Sequence, residues 1–265
     1  MNIIYPDFMR IFFRISMCLN ILISQSLALV DSAHHFVDKT TIKNFISQSI
    51  KHDPNHLPSS YQIFYNQKPK NLIWSILIPT LTERSAQFEK IFTNLVLQIV
   101  QANLQDQIEI IFYRDNRDAT VGYKRNQLIK NATGKYICFV DDDDEISKDY
   151  INLIYHALLQ DCDCVKLIGV FSANNHKKPF IHSILYKTYF ETKRAYYRPP
   201  NHLNPIRRTI ASQFKFPNHL NYGEDTDWAM QICRAGAIQT EATIHKPYYF
   251  YKFDAQKSVS LQRSR

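Results

Sequence analysis

Five acidic residues in succession, Asp141, Asp142, Asp143, Asp144 and Glu145, follow the apolar stretch Tyr136–Val140 without a break. Where the chain is still extended, alternate residues point the same way, so Asp141 and Asp143 can face one side together. Two carboxylates held that close repel, and one stays protonated unless a cation joins them. A hard cation such as Mg²⁺ or Mn²⁺ takes one or two carboxylates and completes its shell with water and phosphate oxygens. The pattern points to a metal–diphosphate site. The bland reading of the same residues is a solvated acidic loop at a strand end.

Other uses of acids after a strand can be checked residue by residue. A phosphate-binding loop needs G-x-x-x-x-G-K-[ST], but Gly134-Lys135 is followed by Tyr136, and Ile129 stands where the first glycine belongs. An EF-hand loop starting at Asp141 needs glycine at its sixth position, which is Ile146. A dehalogenase-type phosphatase also places D-x-D after an apolar strand, but normally near the domain start. Here two strands precede the acids, which weakens that alternative.

A second constellation, Tyr222-Gly223-Glu224-Asp225-Thr226-Asp227-Trp228, lies further along. Gly223 permits a tight turn, and Asp225 or Thr226 can start a helix over 227–234 that Gly236 ends. Such acids can simply cap a helix. At the mouth of a metal–diphosphate crevice, one of them would also suit deprotonation of an acceptor hydroxyl.

The elements that must position these groups alternate along the chain. Leu72–Pro79 is a short apolar run, read as a buried strand. A helix over 83–102 carries Phe88, Phe92, Leu95 and Ile99 on one stripe, with Thr80 and Glu83 as a capping box. Further strands are expected over 107–113, 136–140 and 164–170, with helices over 121–132 and 147–160. Alternation of this kind implies an α/β fold with a Rossmann-like, mostly parallel central sheet flanked by helices. Ligands then sit beyond the strand carboxyl ends, which directs attention to 79–83, 114–118 and 141–145.

The remaining features set bounds. The chain has 265 residues, 45% of them apolar, enough for one sizeable domain. Its net charge of +8 suits an anionic ligand or surface, but no basic run with interleaved aromatics appears, so nucleic acid is not an expected partner. The five cysteines, Cys18, Cys138, Cys162, Cys164 and Cys233, read as free thiols. Residues 1–30 form a basic start and an apolar, serine-broken middle. That layout fits a secretory signal, a weak anchor, or an amphipathic helix packed on the domain or lying on a membrane surface. Residues 31–71 read as a polar extension in which Ile42, Phe45, Ile46 and Ile50 have helical spacing, and 72–265 as the domain itself.

From about Trp74 to Ser260 the chain resembles the family 2 glycosyltransferases of GT-A fold. The matching pieces are SILIPTLTER, GYKRNQLIKNATGKYICFVDDDDE, YGEDTDWAMQICRAG and KPYYFYKFDAQKSVS, in that order. The resemblance implies transfer of a sugar from a nucleotide-diphosphate sugar to a glycan, lipid-linked or protein acceptor. Pro79, Thr80 and Glu83 would line the base and ribose, and Asp115 would contact the nucleobase. Lys124, Arg125 and Asn126 would lie beside the nucleotide. Asp141 and Asp143 match the family's D-x-D, with Asp143 as metal ligand for Mn²⁺ or Mg²⁺ and Asp141 near the ribose. Asp142 and Asp144 would complete the donor pocket. Asp225 matches the catalytic base, with Glu224 beside it, and the product would be inverted. No Gln-x-x-Arg-Trp motif occurs, which argues for addition of a single sugar. The acceptor is expected within 171–221, a segment that includes His182, Tyr196, Tyr197, Arg198, His202, Arg207 and Arg208. His245 is a further candidate near the metal. The work is expected in the cytoplasm or on a membrane's inner face, with a secretory or lumenal setting if 1–30 is a signal. Two alternatives stay open: a phosphatase or nucleotidyltransferase of similar architecture, and a silent module that keeps the fold.

Overall fold

The computed structural model describes residues 50–51, 61–64, 72–173 and 176–252. The expectations for 1–30 and for Ile42, Phe45 and Ile46, and the end of the matching piece KPYYFYKFDAQKSVS from residue 253 on, lie outside these residues.

Three strands make the frame of the site: β3 (Trp74–Leu81), β4 (Ile108–Asp115) and β5 (Tyr136–Phe139). Their apolar runs are continuous because both faces are covered. Ile76, Ile78, Ile110, Phe112, Tyr136 and Cys138 join one core cluster, with helices α1 (Ser85–Gln101) and α3 (Tyr150–Leu158). The alternate residues Leu77, Ile111, Tyr113, Ile137 and Phe139 join another, with α2 (Val121–Asn131) and α5 (Glu224–Ala235). Period-two alternation thus serves two cores at once.

β3 pairs in parallel with both β4 and β5, in the order β4-β3-β5. The chain leaves β3 to one side and returns to its other side, so a crevice opens between the carboxyl ends of β3 and β5. The strands added around this frame are mostly antiparallel. They are β1 (Ile50–Lys51) and β2 (Tyr61–Phe64) beyond β4, and β7 (Cys164–Val165), β12 (Ile206–Arg207) and β13 (Glu241–Ala242) beyond β5. Thus β2 extends the sheet with residues from the stretch read as a polar extension, and Ile50, given helical spacing above, lies in a strand.

A second sheet of six strands was not foreseen. It is ordered β10 (Phe190–Glu191), β11 (Tyr196–Arg198), β9 (His176–His182), β8 (Leu167–Ala173), β14 (Tyr249–Lys252) and β6 (Glu145–Ile146). The strand expected over 164–170 is therefore two strands in two sheets. The break falls at Lys166, because Val165 donates its N–H to Pro205 O at 2.9 Å while Leu167 already pairs with His182. The aspartate run occupies the corresponding crossing on the other side, between the end of β5 and the start of β6. A short helix, α4 (Arg208–Ala211), follows β12.

Candidate active site

The loop after β3 is stitched to the aspartates after β5. Thr80 donates its hydroxyl to Asp142 Oδ2 at 2.7 Å, and Arg84 Nη1 lies 2.8 Å from Asp142 Oδ1 while its other nitrogen reaches Asp143. Thr80 is therefore still in the strand and does not cap the helix. A 3₁₀ turn over Thr82–Arg84 comes first, α1 begins at Ser85, and Glu83 pairs with Arg117. The expected capping box is absent because Asp142, distant in sequence, takes the threonine hydroxyl. Pro79 stands in β3, in register with Tyr113.

Asp115 and Lys124, both buried, pair with each other, and Lys124 Nζ also donates to Thr80 O at 3.1 Å. Asp115 accepts further from the N–H of Ala119 at 2.8 Å and of Arg117 at 3.2 Å. These bonds hold the loop after β4 in a tight turn. Burial pulls the Lys124 ammonium below its ordinary range, against the attraction of Asp115. Asn126 spends its amide on the backbone of Phe216, donating to its O at 2.8 Å and accepting from its N at 3.0 Å. The next turn of chain closes over α2 so tightly that a Cβ on Gly122 would meet Pro217 O at 2.1 Å.

Arg125 points inward and not to the crevice surface. Its side chain is 5% exposed, lies 4.9 Å from the Phe139 ring centre, and pairs with Asp141 Oδ1 at 3.0 Å and Glu224 Oε1 at 3.2 Å. Burial opposes its charge, but Asp141 and Glu224 outweigh it and hold the proton more firmly than usual. One guanidinium thus ties the end of β5 to the start of α5, the two places where the sequence put its acids.

The acids at α5 sit differently from the expectation. Gly223 is the N-cap, in the left-handed region at φ +78°, and Glu224 and Asp225 already lie in the first turn. Neither Asp225 nor Thr226 starts the helix. Carboxylates in that turn face the positive end of the helix. Gly236 closes it in the left-handed region, as expected.

The aspartates divide by burial. Asp142 and Asp144 are buried, whereas the Asp141 and Asp143 side chains are 29% and 40% exposed. Burial also opposes the charge on Asp141, yet Arg125 and His202 outweigh it and hold this carboxyl below the usual range. Burial pushes Asp142 up to about 6 against the pull of Arg84. Asp143 is raised by burial and by Asp141, with Arg84 opposing. Asp144 is raised well above its ordinary value by burial, then by Asp141 and Asp143. It accepts the Tyr249 hydroxyl at 2.7 Å, and Tyr249 accepts the Asp141 N–H at 3.2 Å. Among the described residues no three His, Cys, Asp or Glu side chains are grouped to hold a metal alone. The donor set fits a cation that arrives with a diphosphate, which needs only one or two carboxylates from the protein.

Two contributors, Arg84 and Tyr249, were not singled out in the sequence, and a third, His202, was named there only as one residue of the acceptor segment. His202 is buried, with Nε2 3.4 Å from Asp141 Oδ2 and Nδ1 3.5 Å from Asp225 Oδ2. Its neighbours in the acceptor segment have other work. Arg207 pairs with Asp161 and Asp163, Arg208 donates to Gly134 O at 2.7 Å, and His182 is bonded to Asn201 and Asn204. His245 is exposed between β13 and β14. The thiols of Cys138, Cys162, Cys164 and Cys233 are free, and only Cys233 is partly exposed.

Residues 93–217 match the sequence model of Glycosyl transferase family 2. Over 81 residues the chain is 30% identical to Glycosyltransferase GlyA of Streptococcus pneumoniae, a match that takes in 31% of this chain and 12% of that protein. S. aureus TarS 1-349 is similar in structure at a TM-score of 0.47 and 17% identity, over 68% of this chain and 60% of that one. The same protein in complex with UDP-GlcNAc gives 0.48 and 18%, over 69% and 59%. In each case the chain spans less than two thirds of the relative, and the assignment does not rest on the structural likeness. The family match falls on the segment that holds α2, β5, the aspartate run and His202, and it is this segment that is similar to glycosyl transferase family 2.

Proposed function

We propose that the chain transfers a single sugar from a nucleotide-diphosphate sugar to a hydroxyl of a glycan, lipid-linked or protein acceptor, inverting the anomeric carbon. The observation that carries this reading is the convergence of Asp141 and Asp225 on one histidine ring, which puts the strand-end aspartates and the α5 acids in one crevice. In the reaction, the acceptor oxygen bonds to the anomeric carbon. The bond to the diphosphate oxygen breaks, its electron pair leaves with the nucleoside diphosphate, and Asp225 takes the acceptor proton. Asp143, the most exposed of the four aspartates, would hold Mn²⁺ or Mg²⁺ together with Asp141, and the ion would offset the charge of the diphosphate. Arg84, Thr80 and Tyr249 keep Asp142 and Asp144 turned inward, so that this face of the run is the one presented. Burial first, and then Asp225, pushes the Tyr189 hydroxyl up to about 12. Donor supply suits the cytoplasm or a membrane's inner face, and no helix among the described residues is long and apolar enough to cross a membrane.

The test is thermal unfolding of the full chain with UDP, GDP and dTDP, each with and without Mn²⁺, beside Asp143→Ala. At a hundredfold excess over Kd, binding adds about 2.7 kcal/mol. One nucleotide should stabilise only with Mn²⁺, and the variant should lose the effect. A folded protein that answers to none of them overturns the donor reading, as would release of inorganic phosphate in place of nucleoside diphosphate.

A further inference from the structure

His202 sits in a turn built for it. Phe139 donates its N–H to His202 O at 2.8 Å, which pins the residue beside the last position of β5. Asn201 Oδ1 accepts from Leu203 N at 3.0 Å, Asn204 Oδ1 accepts from Asn201 N at 3.0 Å, and Asn204 Nδ2 donates to Val165 O at 2.9 Å. The buried His182 ring lies 3.0 Å from Asn201 Oδ1 and completes this support. A histidine that only filled space would need neither frame nor partners. Here the ring presents one nitrogen to each of two carboxylates from different elements. Nδ1 is buried without a well-formed hydrogen bond, and the group it faces is Asp225 Oδ2 at 3.5 Å. Contacts of this kind are often long before substrate arrives and tighten in the complex.

We infer that His202 is a positioning residue that fixes the Asp225 carboxylate relative to the aspartate run, through Nδ1 toward Asp225 and Nε2 toward Asp141. The inference rests on the reading of Asp225 as the base. Asp141 is also gripped by Arg125 and Arg125 by Glu224, whereas the Asp225 carboxylate is reached by His202 Nδ1. Loss of the ring should therefore free Asp225 more than Asp141.

The two nitrogens can be separated by substitution. An asparagine amide reaches about as far as Nδ1, and a glutamine amide about as far as Nε2. Full-length His202→Ala, His202→Asn and His202→Gln would be compared in nucleoside-diphosphate release. The donors are UDP-glucose, UDP-N-acetylglucosamine and GDP-mannose, with a panel of methyl glycosides as acceptors. The alanine variant should lose roughly 10- to 100-fold in kcat, the cost of a misplaced reacting group, with donor KM within about twofold. Asparagine should recover most of that loss and glutamine little. Alanine with unchanged kcat, or glutamine rescuing as well as asparagine, overturns the inference. Amide exchange at 224–227 gives a second readout that needs no turnover. Alanine should open that turn and asparagine restore it; equal protection in all three variants overturns the inference. If Asp225→Asn keeps full transfer, the base reading fails, and the exchange result still decides whether His202 holds Asp225. Should the alanine variant not fold, the asparagine–glutamine comparison alone decides.

Discussion

Replacing Arg125 by methionine should destabilise the protein severely. Its guanidinium is 5% exposed and compensates two carboxylates, Asp141 and Glu224, at 3.0 and 3.2 Å. Removing one partner of a buried ion pair leaves the other charge uncompensated and costs about 3–5 kcal/mol. Methionine fills much of the volume and keeps a contact with the Phe139 and Phe216 rings, so the loss is mainly electrostatic. For a domain of this size each kcal/mol moves the midpoint by about 2–4 °C, giving a fall of roughly 6–20 °C. Arg125→Lys should land between, since one ammonium cannot span both acids as the guanidinium fork does. Adding Glu224→Gln to Arg125→Met removes one of the stranded charges and should recover a substantial part of the loss. Acid should narrow the gap. The Asp141 carboxyl is held low in the fold, so its contribution is present above the unfolded value and fades as the pH falls through the folded one. The assay is thermal unfolding followed by circular dichroism from pH 8 to pH 2, because the Asp141 contribution is lost only below the unfolded value of about 3.9. A fall below about 2 °C at pH 7.5, or a double variant no better than the single one, refutes the reasoning.

Further outcomes follow from other sites. His182 is pushed down to about 3 by burial, with Arg198 and His202 adding to it, so the unfolded chain takes up a proton below about 6.5 that the fold refuses. Stability should fall by about 2 kcal/mol between pH 6.5 and pH 5, and His182→Asn should flatten that slope in urea titrations. Gly122→Ala should cost about 1–3 kcal/mol, the range for forced overpacking, because the new Cβ would meet Pro217 O; an unchanged urea midpoint would contradict that close approach. Asp225→Asn should lower transfer by about 10²–10⁴-fold while Mn²⁺-dependent nucleotide binding, read by calorimetry, stays intact. Among the described thiols, Cys233 should react with a thiol reagent in native protein faster than Cys138, Cys162 and Cys164, which are buried, burial pushing the Cys138 thiol up to about 12.

Much of the frame was legible from the residues alone. The apolar runs at 72–79, 107–113 and 136–140 and the striped helix between the first two fall where β3, β4, β5 and α1 lie. Buried strands need such runs, and a helix on a core needs such a stripe. The acids at 141–145 had to stand near a strand carboxyl end, and Gly236 had to end a helix, because few residues tolerate positive φ. Tertiary structure alone decided which way the charged side chains turn. Lys124 and Arg125 read as cations beside a nucleotide, yet both are buried, because Asp115, Asp141 and Glu224 come to meet them. Periodicity reports the face a residue occupies but not which element will cover it. A charge enters the interior only if a partner is waiting there. The partners of Arg125 lie 16 and 99 residues away along the chain, and those of His202 come from the turn after β5 and from α5. Only the order of strands in the folded sheet brings such groups together, and that order is set by packing across the whole domain.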